Sequence, residues 1–238
     1  MTATVAGERR HTMRLSERFG ALAGALAILL VIIGSDVLGT PPGAQTPHPS
    51  GQQSLDRLQW VAETSSAQVG VSVELLGFAF LVLFIAHLSV RVGGAGWIAT
   101  AALAGGVIAV ALKLASGAPM FVAYLLRDEI SPQTARLLSD LNGVAFVMMW
   151  LPMGIFVACA SAAGLLTREL GRVLGWFGIV AGSACVLATV VTGLHVLSAF
   201  FLPYVLCLLW ILLVSLRLGL RRALSVAATT QTRVPVEV

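Results

Sequence analysis

Residues 95–115, AGWIATAALAGGVIAVALKLA, contain one charged residue, Lys113, in an otherwise apolar run. About 20 such residues are enough to cross the roughly 30 Å hydrocarbon core of a bilayer as a helix. The segment therefore predicts a transmembrane helix. It also poses a question, because an ammonium group inside such a helix needs a partner or a route to water.

The composition of the whole chain extends this prediction. Of the 238 residues, 58% are hydrophobic and 11% are charged, whereas soluble proteins carry roughly 25% charged residues. The alternating segments of about ten residues that are typical of transmembrane barrel strands are absent. We therefore expect an all-α integral membrane helical bundle.

Six apolar runs predict six transmembrane helices. The last two runs are nearly continuous and together too long for one span, so a tight hairpin is predicted near Thr192, Gly193 and His195. The predicted spans are residues 19–38, 69–90, 95–115, 142–166, 173–192 and 197–217.

The arginines predict the orientation of this six-span domain, residues 19–217. Eleven of them lie in the tail 1–18, in the even-numbered loops and on the C-terminal side, where Arg217 ends span six and three more follow in the tail 218–238, whereas Arg57, Arg127 and Arg136 lie in the opposite loops. Basic residues favour the cytoplasmic side. Both termini are therefore expected in the cytoplasm and the protein in the cell membrane, and anionic lipids are expected contacts at the cytoplasmic face.

The outer loops contain two candidate elements. After a proline-rich segment, SLDRLQWVAETS (residues 54–65) predicts either a short interfacial helix capped by Ser54 or a loosely ordered linker. Further on, Met120–Leu126 predicts an interfacial or re-entrant turn. A short amphipathic helix from about Ser131 is expected to lead into span four.

Small residues and prolines predict how the spans pack. The sequences GALAG, from Gly20, and GIVAG, from Gly178, favour close helix contacts within the chain or with a second copy. Pro152 and Pro203 predict kinks in spans four and six. The three cysteines lie in apolar runs without a CxxC pattern, so we expect small buried hydrophobic side chains.

Polar residues from five segments are expected at one depth near the outer surface, with Lys113 about one turn below it. They form a candidate outer polar cluster of Asp36, Glu74, Lys113, Asp140, Asn142 and His195.

Two interpretations of Lys113 are open. Its long side chain could snorkel to the head groups. Alternatively, it pairs with Glu74, which has apolar neighbours on both sides; opposite charges about 4 Å apart attract by roughly 4 kcal/mol at an effective dielectric constant of 20. We favour the ion pair.

Motifs for phosphate binding, zinc binding or a serine nucleophile are absent from the sequence. We therefore predict no catalytic residues, no metal site and no cofactor. The basic segments have little aromatic interleaving, which argues against nucleic-acid binding.

The region from about Tyr124 to Cys185 resembles a family of small bacterial multi-pass membrane proteins known as a domain of unknown function. Within it, the matching features lie in RLLSDLNGVAFVMMWLPMGIFVACASAAGLLTRELGRVLGWFGIVAG, residues 136–182. The basic loop followed by GRVLGWFG, residues 171–178, carries the resemblance. It implies a multi-pass membrane protein, and no activity or site residue transfers with it.

The function expected from the sequence is a non-enzymatic binding, regulatory or structural role in the membrane. The alternative is a small transporter with an outward-facing polar site. A membrane-embedded enzyme comes third, because a glutamate and a histidine could act as acid and base but lack a nucleophile or metal set.

Overall fold

A computed structural model describes the backbone of residues 2–39, 49–193 and 201–231, and the side chains of 16–35, 37–39, 49–191 and 201–220. All longer elements in this part of the chain are helices. They are α1 (Thr2–Ile32, continued by a π-helical segment, Ile33–Leu38), α2 (Gly51–Glu63), α3 (Ser65–Arg91), α4 (Trp97–Leu125), α5 (Pro132–Met148), α6 (Trp150–Leu166), α7 (Arg172–Gly193) and α8 (Leu202–Gln231).

Six helical segments are long and apolar enough to cross a membrane. The prediction of six apolar spans is therefore confirmed for the described residues. The segments are Ser16–Ser35, Ser65–Arg91, Trp97–Leu125, Pro132–Leu166, Arg172–Val191 and Leu202–Leu220.

These helices pack as a ring in the order α1, α3, α4, α6, α7 and α8, and α8 returns to α1. One large hydrophobic core fills the ring. A buried hydroxyl joins its ends, because Ser215 Oγ donates to the Ala21 carbonyl at 2.6 Å and accepts from the Ala25 N–H at 2.7 Å. The hydrogen bonds of Ser215 thus close the ring between α8 and α1. No motif in the sequence of these two helices predicts this contact.

Two helix crossings need glycine. A Cβ atom at Gly182 of α7 would lie 2.6 Å from the Gly154 carbonyl oxygen of α6, and one at Gly24 of α1 would lie 2.8 Å from the Phe84 ring of α3. Such distances are too short for any larger residue. The close packing predicted from the two glycine motifs is confirmed, and these contacts lie within one chain.

The helix α2 forms a cap on one end of the ring together with α5 and the end of α4. Its Leu58 packs in a small second core with Ala123 and Ala135. The predicted cap residue is wrong: Ser50, with Gln53 in a capping box, begins the helix. Ser54 is buried instead, on the side of α2 that faces the protein.

The third span is longer than predicted. Helix α4 has 29 residues and continues through Pro119 to Leu125, so the predicted turn at Met120–Leu126 is wrong. The reason is tertiary: Ala123 is fully buried in the cap and Met120 packs against the same cluster. Packing therefore offsets the backbone hydrogen bond that the proline removes.

The two span prolines have different effects. Pro152 lacks the N–H that would bond to the Met148 carbonyl, and α5 and α6 separate at Met149, as the predicted kink requires. Pro203 is the second residue of α8. The predicted kink there is wrong, because a proline in the first turn loses no intrahelical bond.

The remaining sequence predictions concern the start of α5, the two terminal tails, the hairpin and the proline-rich loop. Helix α5 begins at Pro132 with Ser131 as its N-cap, so the predicted start near Ser131 is confirmed. Helix α1 already begins at Thr2 and α8 continues to Gln231, so helix extends into both predicted tails. The hairpin residue His195 and most of the proline-rich loop lie outside the described residues.

Candidate functional site

Lys113 and Glu74 meet between α4 and α3. Lys113 Nζ lies 3.2 Å from Glu74 Oε1, and the side chains are 21% and 22% exposed. The predicted ion pair is therefore confirmed. The interpretation in which Lys113 snorkels alone is wrong for this structure, because its ammonium group points to a carboxylate on the neighbouring helix.

Aromatic rings cover the lysine end of this pair. Lys113 Nζ lies 5.0 Å from the centre of the Phe146 ring and 5.8 Å from that of Phe78. A ring face attracts a cation by about 0.5–2 kcal/mol, more when water is excluded. The ammonium group thus has three favourable neighbours from α3 and α5.

Phe146 also belongs to a cluster of four aromatic rings. Trp150 stacks on Tyr204 with ring centres 5.7 Å apart, and Phe146 meets the same tyrosine edge-on at 5.3 Å. Phe201 contacts all three. The cluster joins α5 and α6 to the start of α8. Sequence reasoning missed it, although the 146/150 and 201/204 spacings place each pair on one helix face.

A small cavity lies directly beside Lys113 in the centre of the ring. Its volume is about 10 Å³, close to the minimum for one water molecule. Lys113 and Tyr204 are its polar lining residues, and the others are apolar side chains of α1, α3, α4, α6 and α8. The interior next to the ion pair is therefore nearly filled.

The other predicted cluster residues have separate positions. Asp140 Oδ2 lies 3.6 Å from Arg136 Nε on the exposed side of α5, and both side chains are more than half exposed. Asn142 is half-buried. The side chain of Asp36 and all of His195 lie outside the described part of the chain. The structure joins Glu74 to Lys113, and a common site for all six residues stays a prediction.

The π-helical segment that holds Asp36 does approach the pair. A Cβ atom at Gly34 would lie 2.6 Å from the Glu74 backbone nitrogen. Three helices, α1, α3 and α4, therefore come together at the level of Glu74. A π-helical turn at such a point is common at functional sites.

A second ion pair lies at the other end of α3. Arg91 Nη2 is 2.6 Å from Glu169 Oε2 in the loop between α6 and α7. This end also contains Arg18, Arg168, Arg172 and Arg217, and we call it the basic end. The pairing of Arg91 was missed, because nothing in the sequence links the two loops.

The cysteines have structural positions. Cys185 and Cys207 are fully buried, as predicted, whereas Cys159 is half-buried. The Cys185 thiol donates to the Trp150 carbonyl at 3.4 Å. Within the residues that the structure describes, no three His, Cys, Asp or Glu side chains are grouped in a way that could hold a metal ion.

No protein-family model, curated protein or solved structure matches this chain. The resemblance of residues 136–182 to the family of small bacterial membrane proteins therefore stays a prediction.

Proposed function

We propose that this chain is a six-span protein of the cell membrane with a non-enzymatic role, as a binding, regulatory or structural component. The observation that carries the proposal is the internal pairing of Lys113. Its charge is met by Glu74 and by the Phe146 ring, and the adjoining cavity of about 10 Å³ has no space for a substrate. The pair then serves to hold α3, α4 and α5 together.

We also propose that both termini face the cytoplasm. The distribution of arginines supports this orientation, because the middle of α1 and of α8, the end of α3 and the loop before α7 bring them to the basic end. Positive charge in short loops favours the cytoplasmic side. The cap, formed by α2, α5 and the end of α4, then faces outward.

Cysteine labelling of intact cells tests this orientation. The background is a variant in which Cys159, Cys185 and Cys207 are replaced by alanine. Cysteines at the exposed positions Gln52 and Gln133 of the cap should react with a membrane-impermeant maleimide. A Cβ atom added at Gly93 would have no neighbour within 4 Å, so a cysteine fits there without a clash. This cysteine should react only after the cells are opened. Labelling of position 93 from outside would contradict the proposed orientation.

A small transporter is the second candidate, and the ion pair is also the observation that favours it. Ionisable groups inside spans often mark substrate or proton paths. Lys113 and Glu74 sit between apolar helices, next to a cavity that Tyr204 lines.

Reconstitution into liposomes separates the two candidates. Liposomes with the wild type or the double variant Lys113→Met/Glu74→Gln are incubated with a pool of small charged solutes, and their contents are analysed by mass spectrometry. Our proposal expects no solute that accumulates with the wild type alone. A solute taken up by the wild type and excluded by a folded double variant would establish the transporter instead.

A further inference from the structure

Arg217, like Arg18, is a half-buried arginine with no ion-pair partner among the described residues, unlike Arg91, Lys113 and Arg127. It lies in the middle of α8, at the basic end of the protein, and its Nε is buried without a hydrogen-bond acceptor. Among the described residues no carboxylate lies within ion-pair distance of it, whereas Arg91 has Glu169 and Lys113 has Glu74. A partly desolvated charge without a counter-charge is costly. An anion from outside the chain would remove this cost.

The guanidinium of Arg217 lies against the backbone of Gly171. A Cβ atom on Gly171 would lie 2.6 Å from Arg217 Nη2 and 3.1 Å from its Cζ. The missing side chain thus leaves the space that the guanidinium occupies. Gly171 immediately precedes the first turn of α7, where backbone N–H groups lack intrahelical acceptors.

Two further arginines bring positive charge to the same place. Arg172 follows Gly171 directly and Arg168 precedes it by three residues, and both are exposed. Of the charged side chains described at the basic end, five are arginines and two are glutamates, Glu17 and Glu169. Glu169 is already paired with Arg91. The surroundings of Gly171 therefore have an excess of positive charge.

The neighbouring surface is apolar. Val173 is 83% exposed, Leu166 67% and Leu220 61%. Each of these three side chains lies within three residues of Arg172, Arg168 or Arg217 in the sequence. The acyl chains of a lipid can cover them. Guanidinium groups bind phosphate oxygens through paired, charge-assisted hydrogen bonds.

We infer that Arg217, with Arg168 and Arg172, binds the phosphate of an anionic phospholipid at the basic end, with its acyl chains along α7 and α8. This inference rests on the proposed membrane placement and identifies one partner of that component. It depends neither on which side the basic end faces nor on whether solutes are transported. Its failure is therefore distinct from a failure of the proposed function.

Native mass spectrometry of the full chain in a neutral detergent tests the inference. Phosphatidylglycerol and phosphatidylcholine with identical acyl chains are added in equal amounts. We expect the wild type to retain one phosphatidylglycerol in preference, and Arg217→Gln to bind it about tenfold more weakly, the loss expected for about 1.4 kcal/mol. Arg136→Gln, which changes an exposed arginine at the opposite end, is the matched control and should bind like the wild type.

Other outcomes would overturn the inference. Equal binding of the two lipids by the wild type would do so, and this comparison needs no variant. So would full retention by Arg217→Gln. If that variant fails to fold, Gly171→Ala, whose methyl group displaces the guanidinium, should show the same loss, and unchanged binding there would also contradict the site. Saturation by inorganic phosphate without any preference for phosphatidylglycerol would exclude the lipid as the ligand.

Discussion

Two ion pairs hold α3, one at Glu74 in its first half and the other at Arg91, its last residue, and they differ in their surroundings. Glu74 and Arg91 are 17 positions apart, which is about 26 Å along a helix. Their pairs have similar exposure, 21% and 22% for Lys113–Glu74 against 23% and 32% for Arg91–Glu169. However, helices and aromatic rings enclose the first pair, whereas a loop supplies the second carboxylate.

This difference predicts that the two ion pairs differ in strength although their exposed areas are similar. Around Lys113 the ring centres of Phe78 and Phe146 lie within 5.8 Å of the ammonium nitrogen, in addition to the carboxylate. Around Arg91 the partner Glu169 lies in a short connection at the end of the ring. We expect the enclosed pair to be strongly coupled and insensitive to salt, and the loop pair to be weak and screened.

The largest expected effect is the loss of one partner of the enclosed pair. Lys113→Met or Glu74→Gln should each lower the free energy of unfolding by about 3 kcal/mol, the lower end of the range for breaking a buried pair. Each change leaves a charge without its partner. Chemical denaturation in detergent measures this change in the free energy of unfolding, and Arg136→Gln is the control at an exposed position. If both variants unfold like the wild type, the pair does not stabilise the ring.

The double variant should be milder than the sum of the single changes. Lys113→Met with Glu74→Gln removes both charges, so we expect a coupling energy of about 2 kcal/mol in a double-mutant cycle. The same denaturation experiment measures it. A coupling below about 0.5 kcal/mol, within which independent sites add, would contradict a direct pair.

The contribution of the ring face is expected to be smaller. Phe146→Leu should couple to Lys113→Met by about 1 kcal/mol, the size of a partly desolvated cation–π contact. Phe156→Leu is the matched control, because this phenylalanine is buried in the core against Trp210. Equal coupling of both phenylalanines to Lys113 would show that general packing, and not the ring face, is responsible.

The smallest effect is expected at the loop pair. Glu169→Gln should lower the free energy of unfolding by about 0.5 kcal/mol at low salt, and this loss should disappear near 1 M salt. The effect of Glu74→Gln should stay the same under both conditions. A loss at Glu169 that matches Glu74 in size and in salt response would remove the distinction between the pairs.

Some features of this protein follow from the sequence by itself. The six apolar segments were predictable because the length and hydrophobicity of a span are properties of consecutive residues. The Lys113–Glu74 pair was also predictable, because both charges lie in apolar runs at a similar depth and few other groups could neutralise them. The start of α5 directly after Ser131 follows from local capping chemistry.

Other features depend on the tertiary structure, because they are set by which helix faces meet. Helix α4 continues past Pro119 since Ala123 is buried against Leu58, which lies more than 60 residues away in sequence. The face of α5 that carries Asp140 is turned outward, away from Glu74 and Lys113, and Asp140 pairs there with Arg136, its local i,i+4 neighbour. The rotation of a helix about its axis determines these neighbours, and hydropathy carries little information about that rotation.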